Sequence, residues 1–210
     1  MESITKGRLA SFSDGVFAVI ITIMVLQLRL PAQPSFHALA DAWPTAVSYA
    51  VSYVLIVIMW INHHFLWGFA EHSTPRLILW NFVHMFAASL VPFATAWVAD
   101  TRMESVPVFV YAATIVMVNV AYHGFAHAAL PVPQAPTGRQ RLVRRTALLR
   151  STLTLALFIG AMLLSLKLPR VAFLLVTCVL LTYVRPEVPM VRPATRRKVS
   201  AGARRGAVTS

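Results

Sequence analysis

The chain has 210 residues, of which 58% are hydrophobic and 12% are charged, and its formal net charge is +12. A soluble domain is nearer half apolar and a quarter charged, so this composition excludes a large soluble core and indicates an integral membrane protein. The apolar runs are long and continuous, which also excludes the short alternating segments of a membrane β-barrel.

Six apolar runs approach the length of about 20 residues that crosses a bilayer as a helix. The predicted all-α fold therefore has spans at about 9–30, 45–69, 76–99, 106–130, 147–166 and 169–185. Pro92 should kink the third span, because proline removes a backbone donor. Residues 31–44 are typical of a polar connection, and 131–136 contain prolines that break the chain. Residues 1–185 form the predicted membrane domain, and the basic residues 186–210 predict a disordered tail.

An even number of spans places both termini on one side of the membrane. Basic residues are concentrated on that side, in the N-terminal segment, the 139–150 segment and the tail. The positive-inside rule then predicts that both termini face the cytoplasm, as in a multi-pass protein of the cell inner membrane. The start of span 1, the end of span 2 and the start of span 3 consequently share one depth. The first span is predicted to be retained, since it is too long for a signal peptide.

Asp14 lies inside the first helix, where an ionisable group is costly and needs a partner. One interpretation is a pathway for ions or protons. The other is a structural anchor, paired with Arg8 or a histidine and supported by Ser13. Because Asp14 points away from the small-residue face described next, we expect the anchor.

One face of span 1 is weakly polar in its first half and apolar afterwards. At about 100° per residue, it collects Ser11, Gly15, Ala18, Val19, Thr22 and Leu26, with Ile23 at its edge. Small residues allow close helix–helix contact, which is one interpretation. The other is a pore wall, in which apolar rings restrict water and the Thr22 hydroxyl offers an oxygen to a cation.

Histidines recur near the predicted membrane boundary. His63 and His64 are adjacent and point in different directions, so we expect one to meet Asp14 or Ser13 and the other to meet lipid headgroups or Glu71. His123 and His127 have the i, i+4 spacing that can share a metal. No carboxylate or cysteine completes such a site, so we expect no metal and no cofactor.

Soluble-enzyme motifs are missing from the sequence, and we expect a protein that is not an enzyme. The carbonyl-loop filter sequence TVGYG is also missing, so any ion selectivity must come from side chains on a helix. The basic segments should be attracted to anionic lipid, and we expect no nucleic-acid partner.

The segment RLASFSD, residues 8–14, carries the pattern R-x-x-x-F-S-D and resembles the opening of the first helix in the endosomal and lysosomal potassium-channel family. Further similarity lies at WINHH (60–64), WN (80–81) and LVPFAT (90–95). The resemblance covers spans 1–3. It implies a network that holds the first helix in place, formed by Arg8, Phe12, Ser13, Asp14, His63, His64, Trp80 and Asn81.

This resemblance also implies a homotetramer in which four copies of the first helix surround a pore that leaks potassium without a voltage sensor. Val19 would form the narrowest ring, Ile23 and Leu26 further rings, and Thr22 the selectivity position. Relatives usually carry isoleucine or leucine at the constriction, so the shorter valine predicts weaker selectivity. The alternatives are a proton-coupled small-solute transporter, with Asp14 and a histidine as relay, and a metal-dependent membrane enzyme built on the histidines.

Overall fold

The computed structural model describes residues 5–28, 31, 33–70, 72–130 and 138–181. These residues form eight helices and no strand. The helices are α1 (Lys6–Leu26), α2 (Phe36–Asp41), α3 (Trp43–Phe69), α4 (Pro75–Ser89), α5 (Val91–Asp100), α6 (Ser105–Ala129), α7 (Gly138–Leu164) and α8 (Pro169–Leu181). The predicted tail at 186–210, the proline segment at 131–136 and Glu71 lie outside the described residues.

Four helical segments are long and apolar enough to cross a membrane: α1, α3, the continuous pair α4–α5 at Pro75–Asp100, and α6. Two shorter apolar helices follow, Thr152–Leu164 within α7 and then α8. The predicted all-α membrane architecture is confirmed at this level. The six-span count and the side of the termini stay predictions.

Local sequence signals explain where the helices begin. The Thr74 side chain accepts a hydrogen bond from the Leu77 backbone N–H at 3.2 Å, and Pro75 opens α4. This is the arrangement expected of a capped helix start, where a proline loses no hydrogen bond. Pro92 occupies the same kind of position in α5. The third span is therefore interrupted for one residue, Leu90, whose backbone angles stay in the right-handed helical region.

Three boundaries differ from the predictions. The 31–44 connection contains α2, which the Ser35 side chain caps by accepting from the Ala38 N–H at 3.1 Å. Helix α1 ends at Leu26 instead of residue 30. Helix α7 begins at Gly138, well before the predicted start at 147, because arginine and leucine are good helix formers that extend a helix beyond its apolar part.

Helix α1 packs on α3, α4 and α5, while α6 packs against α4 and α5 and also against α7 and α8. One face of α1 supplies this packing: its buried residues are Leu9, Ser13, Phe17, Ile20 and Met24. Their spacing of three to four residues is that of a single helix face. Helix α1 therefore lies at the edge of the bundle with its opposite face uncovered by its own chain.

Candidate functional site

The uncovered face of α1 is the face selected from the sequence. Val19 is 56% exposed, Ile23 43% and Leu26 79%. The smaller members of the face are exposed as well: Ser11, Gly15, Ala18 and Thr22. A tight contact within one chain is thereby excluded for this face. Contact with another copy and a role as a pore wall both stay open.

The Thr22 side chain has a defined orientation on that face. Its hydroxyl donates to the backbone carbonyl of Ala18 one turn earlier, a common bond for threonine within a helix. The hydroxyl hydrogen is therefore directed back at the helix. The oxygen lone pairs are left for an acceptor role at the exposed surface, as coordination of a cation requires.

Behind α1, three side chains from three helices meet at one amide. The Asn81 Oδ1 atom of α4 accepts from the Ser13 Oγ of α1 at 3.0 Å and lies 2.8 Å from the His63 Nε2 of α3. All three residues are fully buried. A carbonyl oxygen has two lone pairs and can accept both bonds, provided that His63 carries its hydrogen on Nε2. This Ser13–Asn81–His63 network ties α1 to both neighbouring helices.

The network agrees only in part with the contacts that the sequence predicted for Ser13 and His63. The expected histidine does reach Ser13, but through the oxygen of Asn81 and not directly. The Ser13 hydroxyl also lies 3.0 Å from the Leu9 carbonyl, so its one hydrogen is shared between two acceptors. Ser13 consequently supports α4, and it does not support the neighbouring carboxylate of Asp14 as predicted.

Asp14 has a different partner from those predicted. Its carboxylate accepts from the Trp60 indole N–H of α3 at 2.8 Å. Arg8 is exposed, and within the described ranges it forms no ion pair with Asp14. Ser13 and Asp14 are adjacent and therefore point to different helices, the first to α4 and the second to α3. Asp14 thus fixes α1 against α3, which agrees with an anchor.

The remaining motif residues lie at the rim of this region. Phe12 packs against Phe82 with ring centroids 5.6 Å apart. His64 is exposed, and its ring lies 5.5 Å from that of Trp60. Arg8, Phe12 and His64 are exposed, and none of them takes part in the buried network.

Aromatic rings fill the space next to the network. His63 stacks on His84 at 5.5 Å with an angle of 9° between the rings, and on Phe125 at 4.8 Å and 15°. Phe17 of α1 meets the edges of the same stack, 5.5 Å from His63. His84 therefore lies directly beside the Ser13–Asn81–His63 network. The position of α1 depends on this packing as well as on hydrogen bonds.

The i, i+4 histidine pair of α6 shows no metal cluster in the part of the chain that the structure describes. The His123 Nδ1 atom instead lies 2.8 Å from the Asn119 backbone carbonyl of its own helix.

The sequence did not identify a hydroxyl cluster at the other end of the bundle. The Thr95 hydroxyl of α5 lies 2.8 Å from the Ser52 Oγ of α3, which in turn lies 3.1 Å from the Tyr111 hydroxyl of α6. Scattered serine and threonine residues in an apolar run carry no periodic signal, so only the packing shows that they meet. The cluster holds α5 in place behind α1.

Gly124 of α6 is a second position that the sequence did not identify. A Cβ atom built there would lie 2.2 Å from the Trp80 ring. Trp80, one of the predicted motif residues, therefore packs directly on the α6 backbone. Gly124 lies five residues before the last residue of α6, and nothing in the sequence marked it as a contact.

We expect Gly124→Ala to destabilise the protein by about 1–3 kcal/mol, because an added methyl in a filled space forces neighbouring groups to move. Thermal unfolding of purified protein in detergent measures this. Gly160→Ala is the matched control, since a Cβ there meets no atom within 4 Å. Equal stability of the two variants would contradict the contact.

We expect Trp60→Phe to lower stability by about 1 kcal/mol, because it removes a donor to a charged but partly exposed carboxylate. The same thermal measurement applies. Trp43→Phe provides the control, because Trp43 is 59% exposed. A loss of the same size in both variants would show a general cost of replacing an indole, which would contradict a contribution from the bond to Asp14.

Known proteins are similar to this chain in sequence and in architecture. A family model described as the endosomal/lysosomal potassium channel TMEM175 matches residues 8–92. A potassium channel of Chryseobacterium sp. is 40% identical over 119 residues, which cover 56% of this chain and 62% of that relative. A potassium channel of Streptomyces collinus is 30% identical over 154 residues, which cover 66% of this chain and 75% of that relative.

A solved structure extends the likeness beyond the region that the family model matches. It is the crystal structure of a lysosomal potassium-selective channel TMEM175 homolog from Chamaesiphon minutus, with a TM-score of 0.72 and 25% identity. The match covers 85% of this chain and 95% of that one. The later helices α6–α8 therefore share the arrangement seen in that homolog.

Proposed function

The chain belongs to the TMEM175 family of potassium channels, and on that premise we propose that it is a potassium-selective or weakly selective cation leak channel. Four copies assemble in the cell inner membrane with both termini in the cytoplasm. The α1 helices of the four copies surround a central pore. Monovalent cations are the permeant species, and no cofactor takes part.

The observation that carries this proposal is the division of α1 into two faces. One face is buried against α3, α4 and α5, while the opposite face is exposed along its whole length in one chain. The second half of that exposed face is apolar apart from one threonine oxygen. Four copies brought together on these faces would enclose apolar rings of Val19, Ile23 and Leu26, with Thr22 between them.

Selectivity follows from the different costs of dehydration. A narrow apolar ring offers no replacement for the water around an ion, so an ion must shed part of its shell to pass. Potassium sheds water more readily than sodium. The Thr22 hydroxyl oxygens, whose hydrogens are directed at Ala18, partly replace that shell. Valine at the first ring leaves more room than a longer aliphatic side chain, so the preference for potassium is modest.

The two hydrogen-bonded anchors set the radius of these rings. The Ser13–Asn81–His63 network holds α1 on α4, and the bond from Trp60 to Asp14 holds it on α3. Small tilts of α1 on these anchors would widen or narrow the pore. A structural role for Asp14 is consistent with its position between the two faces of the helix.

Purified protein reconstituted in liposomes tests the proposal. A potassium gradient should drive potassium flux without any added substrate, and a sodium gradient should drive a smaller flux. Absence of potassium flux from correctly assembled protein would overturn the proposal. Saturable proton flux that requires a solute would favour the proton-coupled transporter instead.

A further inference from the structure

A partly open cavity lies beside His84 in the bundle, and no residue of α1 lines it. Its volume is about 50 Å³, and α3, α4, α6, α7 and α8 all contribute to its wall. Most of the wall is apolar, including Met59 and Phe158. Four polar side chains break this apolar surface: Asn62, His84, Asn119 and Tyr122.

His84 is the key residue of the cavity. It is 1% exposed, and among the described residues neither of its ring nitrogens makes a hydrogen bond of normal geometry. The Val118 backbone of α6 lies beside the ring as a weak partner. A neutral imidazole carries one N–H donor and one acceptor lone pair. Leaving both unsatisfied in a membrane-embedded bundle is costly, since lipid cannot replace the missing partners.

Asn119 of α6 also lines the cavity with an unsatisfied polar atom. Its Oδ1 atom is buried and has no partner in the described part of the chain. The cavity therefore holds an unsatisfied donor and an unsatisfied acceptor on two different helices, α4 and α6. A small molecule that both donates and accepts hydrogen bonds would satisfy the two together.

We propose that this cavity is a water-binding site in which ordered water bridges His84 to Asn119. One water needs about 10–15 Å³ of such space and two to four polar partners, so the cavity admits a few molecules. The neighbouring Asn62 amide already donates to the Ile58 carbonyl at 3.0 Å. The bridging water adds a side-chain link between α4 and α6 at this level.

The hydrated site also supports the residues behind α1. His84 stacks on His63, and His63 in turn bonds Asn81 of the Ser13–Asn81–His63 network. Water that fixes the orientation of the His84 ring therefore helps to fix the ring of His63. This inference concerns one chain and does not depend on whether the assembled protein conducts ions.

X-ray radiolysis of the purified full-length protein in ¹⁸O-labelled water tests the site. Hydroxyl radicals form from bound water and oxidise nearby side chains, including methionine. Met59 lines the cavity, and Met24 of α1 is a comparably buried control that does not. We expect Met59 to take up the label several times faster than Met24. Equally slow labelling of the two methionines would show a dry cavity and overturn the proposal.

Asn119→Leu sharpens the test, because leucine removes one partner of the water and occupies part of the cavity. Labelling of Met59 should fall to the level of Met24 in this variant. Unchanged fast labelling would show that the radicals come from another source, which would also overturn the site. Xenon binding to crystals of the unaltered protein provides a check that needs no variant: an apolar, dry cavity takes up xenon, and we expect none there.

Discussion

Val19→Asn is expected to raise cation flux through reconstituted protein by about tenfold, which corresponds to a barrier lowered by about 1.4 kcal/mol. Val19 is 56% exposed on the face of α1 that four copies would present to the pore. An amide in place of the apolar ring keeps water at the constriction, so ions shed less of their shell. The ratio of potassium to sodium flux should fall at the same time. Leu26→Asn, about two helical turns further along α1, should have the same effect.

Leu174→Asn is the matched control for these substitutions. Leu174 lies on α8, is 62% exposed and is far from α1 in the chain. It introduces the same amide on an apolar helix surface without touching the proposed pore. Flux from this variant should equal that of the unaltered protein. Val19→Asn with unchanged flux and selectivity would contradict the pore face, provided that the variant assembles normally.

Asn81→Leu is expected to lower the free energy of unfolding by about 2–4 kcal/mol. The leucine leaves the His63 Nε2–H without an acceptor and removes the acceptor that Ser13 shares, and an unsatisfied buried group costs about 1–3 kcal/mol. In a chain of this size the thermal midpoint should fall by about 5–15 °C. Thermal unfolding in detergent measures the loss, and size-exclusion chromatography follows the yield of assembled protein.

Ser89→Ala distinguishes this effect from the general cost of removing a polar group. Within the described residues, the Ser89 hydroxyl bonds only the Phe86 carbonyl of its own helix, at 2.7 Å, and Ser89 is exposed. Its removal should leave the thermal midpoint nearly unchanged. If Asn81→Leu were as stable as Ser89→Ala, the Ser13–Asn81–His63 network would contribute nothing to the stability of the fold.

The two results together address how one helix serves two purposes. The buried face of α1 makes the contacts that keep the chain folded, and the exposed face is left for the pore. Substitutions on the exposed face should therefore change flux with little effect on stability. Substitutions at Ser13, Asn81 or His63 should change stability first, with any change in flux following from a displaced helix.

The sequence alone determined the all-α membrane class, the irregularity of the third span near Pro92 and the two faces of α1. These features depend on composition, on a local steric rule and on the helical period, all of which act over a few residues. It also indicated that the motif residues of spans 1–3 would meet, since successive spans reverse direction. The predicted start of α7 was wrong, because apolar content marks a membrane span and not the full helix.

Only the tertiary structure decided which side chains are partners. The sequence offered Arg8 or a histidine to Asp14, and the fold supplied Trp60. The fold also brought Ser13 to Asn81, placed Trp80 on Gly124 and formed the cavity beside His84. These contacts depend on the rotation of each helix about its axis and on its distance from its neighbours. Such quantities come from the packing of the whole bundle, because a shift of one residue turns a helix by about 100° and exchanges every partner.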